Sequence, residues 1–103
     1  MAVILIIDDS PTELHLFQNM LEKNGFETLV ADSGEEGLRQ AQSARPDVIL
    51  MDVVMPGMNG FQATRKLSQD PKTSSIPVII ITTKDQETDK IWGMRQGAVE
   101  YLV

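Results

Sequence analysis

The chain contains no cysteine among its 103 residues, which excludes disulfide bonds and thiolate metal sites. Aromatic residues are scarce, at 5% of the chain, with a single tryptophan. The longest apolar runs, Val3–Ile7 and Val78–Ile81, are too short to cross a bilayer. No basic and apolar leader opens the chain, so secretion is not indicated and we expect a cytoplasmic location without membrane insertion.

Basic residues are also few, since 9 lysines and arginines stand against 15 acidic residues and leave a formal net charge of −6. A compact fold this acidic is a poor candidate for nucleic-acid binding, because phosphate backbones repel it. Basic or metal-bearing partners suit it better. A length of 103 residues is enough for one hydrophobic core, so we expect a single domain over residues 1–103.

Apolar segments typical of buried strands alternate with helical patterns along the chain. The predicted strands are Val3–Ile7, Glu27–Ala31, residues 48–51, Val78–Ile81 and residues 100–103. Short strands joined by helical crossovers predict an α/β fold, with a parallel sheet and helices on both faces. Right-handed crossovers leave few topologies, of which the flavodoxin-like order is one.

Capping residues mark the starts of the predicted helices. Ser10 and Glu13 form a capping box, in which Ser10 accepts from the third helical amide and Glu13 reaches back. Ser33 and Glu36 repeat that pattern, and Asn59 caps a third helix. The third helix runs to about Leu67, the first ends near Gly25, and a fourth begins at Asp85 or Thr88 and stops at Gly97.

Carboxylates follow two of the predicted strands. Asp8 and Asp9 come directly after the first strand, and Asp52 ends the third. If these strands are neighbours, each pair of carboxylates at ~4 Å repels by roughly 4 kcal/mol at an effective dielectric near 20. Such crowding requires a counter-ion or raised pKa values, and hard oxygen ligands with open positions suit Mg²⁺.

A hydroxyl joins these acids, because Thr82 follows the fourth strand. A cation beside a carboxylate, with a hydroxyl that can donate to a phosphoryl oxygen, indicates in-line phosphoryl transfer to Asp52 and an acyl phosphate product. A single aspartate at a strand end is usually a turn former or a helix cap. The interpretation therefore depends on the coincidence of all these positions.

The chain resembles bacterial two-component receiver domains of the CheY-like type over its whole length. The residues that carry the resemblance are Asp8-Asp9, the segment from Leu50 through Asp52 to Gly60, Ile76-Pro77 leading to Thr82, and Gly97-Ala98 followed by Tyr101. The resemblance implies a flavodoxin-like sheet with strand order 2-1-3-4-5. Segments such as residues 9–13 and 92–98 are most similar to stand-alone regulators of twitching motility and phototaxis.

By this resemblance, Asp9, Asp52 and the backbone carbonyl of Val54 coordinate Mg²⁺ directly, while Asp8 acts through water. A histidine kinase or phosphotransfer protein would supply the phosphoryl group to Asp52. The resemblance thus implies a phosphoacceptor signalling switch and not an enzyme with a separate substrate.

The resemblance also implies the output of the switch. Thr82 would move toward the phosphoryl group and Tyr101 would turn inward, which changes partner affinity at the face of the fourth helix and fifth strand. Trp92 lies on that predicted helix and is a candidate partner anchor, with ordinary packing as the alternative.

The sequence departs from the family at its end, because no Lys-Pro pair and no fifth helix follow the last strand. We expect a domain truncated after that strand, with Lys84 as a partial substitute for the missing lysine. The face left bare would expose apolar area and favour a homodimer.

Two other functions stay open at this point. A pseudo-receiver would fold and dock without being phosphorylated, which fits the missing lysine. A phosphatase with an aspartyl nucleophile would have Asp-x-Asp after its first strand, whereas here Asp8 and Asp9 are adjacent and Ser10 follows.

Overall fold

The computed structural model describes residues 1–81, 91 and 93–102. Its strands are β1 (Val3–Ile7), β2 (Glu27–Ala31), β3 (Val48–Asp52), β4 (Val78–Ile81) and β5 (Glu100–Leu102). They form a parallel sheet in the order β2-β1-β3-β4-β5, which confirms the flavodoxin-like order. Strand β3 extends one residue beyond the predicted segment and includes Asp52.

Three helices are described in full: α1 (Pro11–Lys23), α2 (Gly34–Ala44) and α3 (Gly60–Gln69). The predicted start of a fourth helix, at Asp85 or Thr88, lies outside the described residues. In the region predicted for this helix, residues 91 and 93–95 are described and are helical. No helix within the described residues is long and apolar enough to pass through a membrane.

The two faces of the sheet are covered to different extents. The face toward α2 and α3 carries most of the hydrophobic core, where side chains such as Leu5, Ile49 and Ile80 have no exposed surface. On the other face, Leu50 and Ile81 of β3 and β4 are only half-buried. Helix α1 contributes no fully buried residue to that face, and its Leu16 is 62% exposed.

The predicted N-caps are confirmed for all three helices. The Oγ atoms of Ser10 and Ser33 accept from backbone N–H groups three residues on, at 3.3 and 3.1 Å. Asn59 forms a complete capping box with Gln62, with both hydrogen bonds at 2.9 Å. The box predicted for α2 is only half formed, because the Glu36 side chain pairs with Arg39 instead of reaching back.

The helix ends agree with the sequence signals to within two residues. Helix α1 stops at Lys23 and Gly25 follows with a φ of 87°, in the left-handed region where glycine carries no steric penalty. Helix α3 extends to Gln69, two residues beyond the predicted end at Leu67. Gly97 has a φ of 112°, as expected for a residue that stops a helix.

The register of the sheet brings the predicted site residues to one edge. Ile7 of β1 is paired with Met51 of β3, so the residues that follow each of them, Asp8 and Asp52, leave neighbouring strands side by side. Asp52 is in turn paired with Ile81, the last residue of β4. The carboxyl ends of three adjacent strands therefore meet at this point, as expected for ligand sites in open parallel sheets.

Candidate functional site

An open cavity of about 500 Å³ lies over the carboxyl ends of β1 and β3. Its apolar floor is formed by Ile6, Leu16, Phe17, Leu50 and Ile81, and its polar rim by Asp8, Asp9, Ser10, Glu13 and Asp52. Carboxylate oxygens of Asp8, Glu13 and Asp52 all lie within 4.8 Å of one another. The fold thus brings together acids from β1, α1 and β3.

Asp8 is the most buried acid of this cluster and is only 3% exposed. Its backbone N–H donates to the carbonyl of Ala31 at 3.1 Å, and its Oδ1 accepts from the N–H of Ser10 at 2.9 Å. Burial raises the pKa of Asp8 to about 7, and a hydrogen bond with the Glu13 carboxyl adds to this, while the Ser10 N–H opposes it. The site thus disfavours the ionised form unless positive charge is supplied.

Asp52 is half-buried at the end of β3, beside Asp8. Burial raises its pKa to about 6, and the negative charge of Asp8 adds to the effect. The backbone amides of Val53 and Val54 act in the opposite direction, because they stabilise the carboxylate. Asp52 is therefore a desolvated carboxylate with amide support, which is a suitable environment for a nucleophile.

Glu13 is the member of the cluster that the sequence pattern misassigns. The capping box predicts that its carboxylate returns to the N–H of Ser10, but that N–H donates to Asp8 instead. Only the other half of the box forms, through the backbone N–H of Glu13 and the Ser10 Oγ. The prediction is wrong for the Glu13 side chain, because the backbone N–H of Ser10 that it would accept from already donates to the Asp8 carboxylate.

Asp9 and Val54 line the same cavity but differ from the buried acids. Asp9 is exposed at the rim and lies outside the trio of acids that meet within 4.8 Å. Val54 is 59% exposed, and the hydrogen bond from its backbone amide lowers the pKa of Asp52. Their predicted direct coordination of Mg²⁺ stays a prediction.

Gly60 positions the loop after β3, a role that the sequence pattern does not reveal. Its N–H donates to the carbonyl of Val53 at 2.9 Å, so α3 begins directly against the end of β3. A Cβ on Gly60 would lie 2.0 Å from the carbonyl oxygen of Asp52. Gly57, earlier in the same loop, has a φ of 74°. The sequence feature that could have indicated this role is a glycine at the first position of a helix, directly after the Asn59 cap.

Several predicted functional residues cannot be placed. Thr82, Lys84 and Trp92 lie outside the described residues. The backbone of Tyr101 belongs to β5 and is paired with Ile80, but its side chain lies outside the described part of the chain. The roles predicted for these residues stay predictions.

The chemistry of the cluster fits a hard divalent cation. All the candidate side-chain ligands are carboxylate oxygens, and the raised pKa values of Asp8 and Asp52 show that negative charge there is undercompensated. A cation with a few protein ligands and several waters would remove that penalty, and Mg²⁺ binds in this way.

Residues 4–103 match the family described as the response regulator receiver domain. The chain belongs to this family. The match confirms the assignment made from the acidic residues and the segment from Leu50 to Gly60.

Similar proteins of this family include both short and long chains. The receiver domain is 63% identical to protein PilH of Pseudomonas aeruginosa, over 99% of this chain and 84% of PilH. It is 42% identical to the response regulator PleD of Caulobacter vibrioides over 98% of this chain, but this covers only 22% of PleD.

Solved structures agree with the fold. The chemotaxis protein CheY4 of Vibrio cholerae superimposes with a TM-score of 0.94 at 35% identity, over 100% of this chain and 86% of CheY4. The response regulator Rcp1 in its Mn²⁺-bound form gives 0.88 at 26% identity, over 100% of this chain and 81% of Rcp1.

Family membership makes the receiver domain a phosphoacceptor signalling switch. Receiver domains interact with histidine kinases or phosphotransfer proteins and in general are not catalytic enzymes. The family also typically binds a divalent cation in an acidic pocket, and this chain has such a pocket. The pseudo-receiver and phosphatase alternatives are not favoured.

Proposed function

We propose that Asp52 is the phosphoacceptor and that Mg²⁺ is held beside it by Asp9, Asp52 and the Val54 carbonyl, with Asp8 acting through water. The observation that carries this proposal is the convergence of Asp8 and Asp52 at the ends of neighbouring strands, in a chain that matches the receiver family. An open cavity of about 500 Å³ above the pair gives room for a phosphoryl group.

The proposed reaction is transfer of a phosphoryl group from a phosphohistidine of the kinase or phosphotransfer protein. A carboxylate oxygen of Asp52 forms the new P–O bond, while the P–N bond breaks and its electron pair stays on the imidazole nitrogen. A bound divalent cation would supply positive charge that offsets the charge of the phosphoryl oxygens. The Val53 and Val54 amides support the ionised Asp52, as the direction of their effect on its pKa indicates.

Thr82 and Lys84 would assist this step from the end of β4. The Thr82 hydroxyl would donate to a phosphoryl oxygen, and Lys84 would provide positive charge close to the phosphoryl group. The place of Ile81 beside Asp52 supports the role of Thr82, because the threonine is the next residue in the chain.

The output of the switch would be a change in partner affinity at the face of the fourth helix and β5. Phosphorylation would favour one of two arrangements, because the phosphoryl group is better satisfied in it. Tyr101 is the proposed internal reporter of that change and Trp92 the proposed partner anchor. The 63% identity to PilH supports the twitching-motility type of regulator predicted from the sequence.

A homodimer through the half-covered sheet face forms part of this proposal. On α1, Leu16 and Met20 are one turn apart and are 62% and 48% exposed. Leu16 lines the same cavity as Leu50 and Ile81, which are half-buried on that side of the sheet. Light scattering at high protein concentration should give a dimer mass, and a monomer mass there would contradict this part.

The decisive experiment combines Mg²⁺ with acetyl phosphate or beryllofluoride. With acetyl phosphate, mass spectrometry should detect one phosphoryl group on the wild type and none on Asp52→Asn. With either reagent, the fluorescence of the single tryptophan should change in the wild type alone. Asp32→Asn is the matched control, because Asp32 is an exposed aspartate directly after β2, which β1 separates from the strand of Asp52. Phosphorylation of Asp52→Asn to the wild-type level would overturn the proposal.

A further inference from the structure

The Glu13 carboxylate faces the acidic cavity and is a carboxylate beyond the three aspartates of the proposed site. It belongs to the first turn of α1, and its backbone position is fixed by the hydrogen bond to the Ser10 Oγ at 3.3 Å. From there, a carboxylate oxygen of Glu13 lies within 4.8 Å of carboxylate oxygens of both Asp8 and Asp52.

A purely structural role explains this placement poorly. The usual partner of a glutamate three residues after a serine cap is the backbone N–H of the cap residue. Here that N–H donates to Asp8 at 2.9 Å, so the helix start is already satisfied without the Glu13 side chain. The Glu13 carboxylate is instead half-buried among acids that repel it.

A divalent cation in the cavity would reverse the sign of this interaction. Without the ion, Glu13 adds negative charge to a cluster that is already crowded. With the ion, the same charge is attracted to it, and carboxylates that support a metal site change metal affinity by about 10- to 100-fold.

We propose that Glu13 is part of the divalent-cation site of this receiver domain, as an anionic group that faces the ion beside Asp8 and Asp52 and raises its affinity. This inference rests on the proposed function, and it names a residue outside the aspartates that sets the affinity for the cation. Because Glu13 stands on α1 and not on a strand, it also couples the start of that helix to occupancy of the site.

The test is calorimetric titration of Mg²⁺ into the wild type, Glu13→Gln and Glu27→Gln at constant ionic strength. Glutamine keeps the shape of the side chain and leaves the Ser10 cap intact, since the cap uses the backbone N–H of residue 13. Glu27→Gln removes the same charge from an exposed position at the start of β2, the opposite edge of the sheet. We expect about 10- to 100-fold weaker binding for Glu13→Gln and less than about a twofold change for Glu27→Gln.

Thermal unfolding gives a second readout that does not depend on phosphorylation. In EDTA at pH 8, above the pKa of about 7 of Asp8, Glu13→Gln should melt above the wild type, because one repelling charge is gone. In saturating Mg²⁺ the order should reverse. A role limited to the helix dipole would instead lower the melting temperature of the variant in both conditions.

The outcomes separate this inference from the proposed function. Wild-type protein that takes up no Mg²⁺ would defeat the proposed function. Wild-type protein that binds Mg²⁺, with Glu13→Gln binding equally well, would leave that function standing and overturn the role of Glu13. Equal weakening in Glu27→Gln would also overturn it, since the effect would then be one of net charge.

Discussion

The backbone carbonyl of Asp52 leaves no space for a side chain at Gly60, where a Cβ would lie 2.0 Å from the carbonyl oxygen. The other two nearest atoms also belong to the backbone, because this Cβ would lie 2.8 Å from the carbonyl carbon of Asp52 and 2.9 Å from the Cα of Val53. Neither can move without displacing β3, so Gly60 fixes the distance between β3 and α3.

Gly60→Ala should therefore lower the free energy of unfolding by about 1–3 kcal/mol, the usual cost of overpacking, or more. Urea denaturation in EDTA measures this change. Gly34→Ala is the matched control, since Gly34 also occupies the first position of a helix but the nearest atoms to its Cβ would be those of Met58, at 3.2 Å instead of 2.0 Å. A cost for Gly60→Ala no larger than that of Gly34→Ala would contradict the prediction.

The metal-free domain should lose stability as the pH rises from about 4 to about 7. The pKa values of Asp8 and Asp52 are about 7 and about 6 in the folded chain, above the ordinary value of 3.8. The folded state therefore binds more protons than the unfolded state in this window, and the free energy of unfolding falls with increasing pH. The stabilisation is complete below the unfolded-state pKa and is lost above the folded-state pKa.

Urea denaturation in EDTA at pH 5 and pH 8 checks this expectation. The difference should be on the order of a few kcal/mol, at about 1.4 kcal/mol per unit of pKa shift, and saturating Mg²⁺ should reduce it. Asp8→Asn should remove most of the slope, because Asp8 carries the larger shift. Greater stability at pH 8 than at pH 5 without metal would show that the acids are not desolvated.

Asp52→Asn should stabilise the metal-free domain at pH 8. The pKa of Asp52 is raised by burial and by Asp8, so ionising it costs folding free energy that asparagine does not incur. Because solvent partly screens this half-buried group, the expected gain in the free energy of unfolding is smaller than the full pKa shift implies, at about 1–2 kcal/mol. Asp32→Asn should stay within about 0.5 kcal/mol, as for other exposed positions. A destabilised Asp52→Asn in EDTA would contradict this.

The phosphorylated domain should lose its phosphoryl group slowly, and Val54→Asn should accelerate that loss. Val54 lines the cavity and its side chain is 59% exposed, so it covers the approach to Asp52 without a group that can orient water. An asparagine amide can donate to and accept from an attacking water. The decay of acid-labile phosphate, followed over time at saturating Mg²⁺, measures the lifetime, and equal lifetimes for the two proteins would refute the prediction.

Most of the fold could be predicted from local patterns. The runs Val3–Ile7 and Val78–Ile81 coincide with β1 and β4, because continuous β-branched residues favour strands buried on both faces. Ser10, Ser33 and Asn59 each cap a helix as expected, since their side chains accept from amides only three residues away. These are short-range effects, and short-range effects are readable in sequence.

The acid pair Asp8 and Asp52 could also be anticipated, because a parallel sheet brings the ends of its strands to one edge. The hydrogen-bond partner of each carboxylate could not be anticipated from the sequence. The same N–H of Ser10 was within reach of Asp8 and of Glu13, and only the three-dimensional path of the chain decides which oxygen takes it.

The sequence by itself thus determined the order of strands and helices, the helix caps and the presence of an acidic site, since each depends on residues close together in the chain or on a general property of parallel sheets. Tertiary structure alone decided that Glu13 joins that site and that Gly60 must lack a side chain. Both outcomes come from contacts between α-helix starts and the ends of β1 and β3, where a shift of about an ångström changes which groups meet, and no local pattern encodes such a distance.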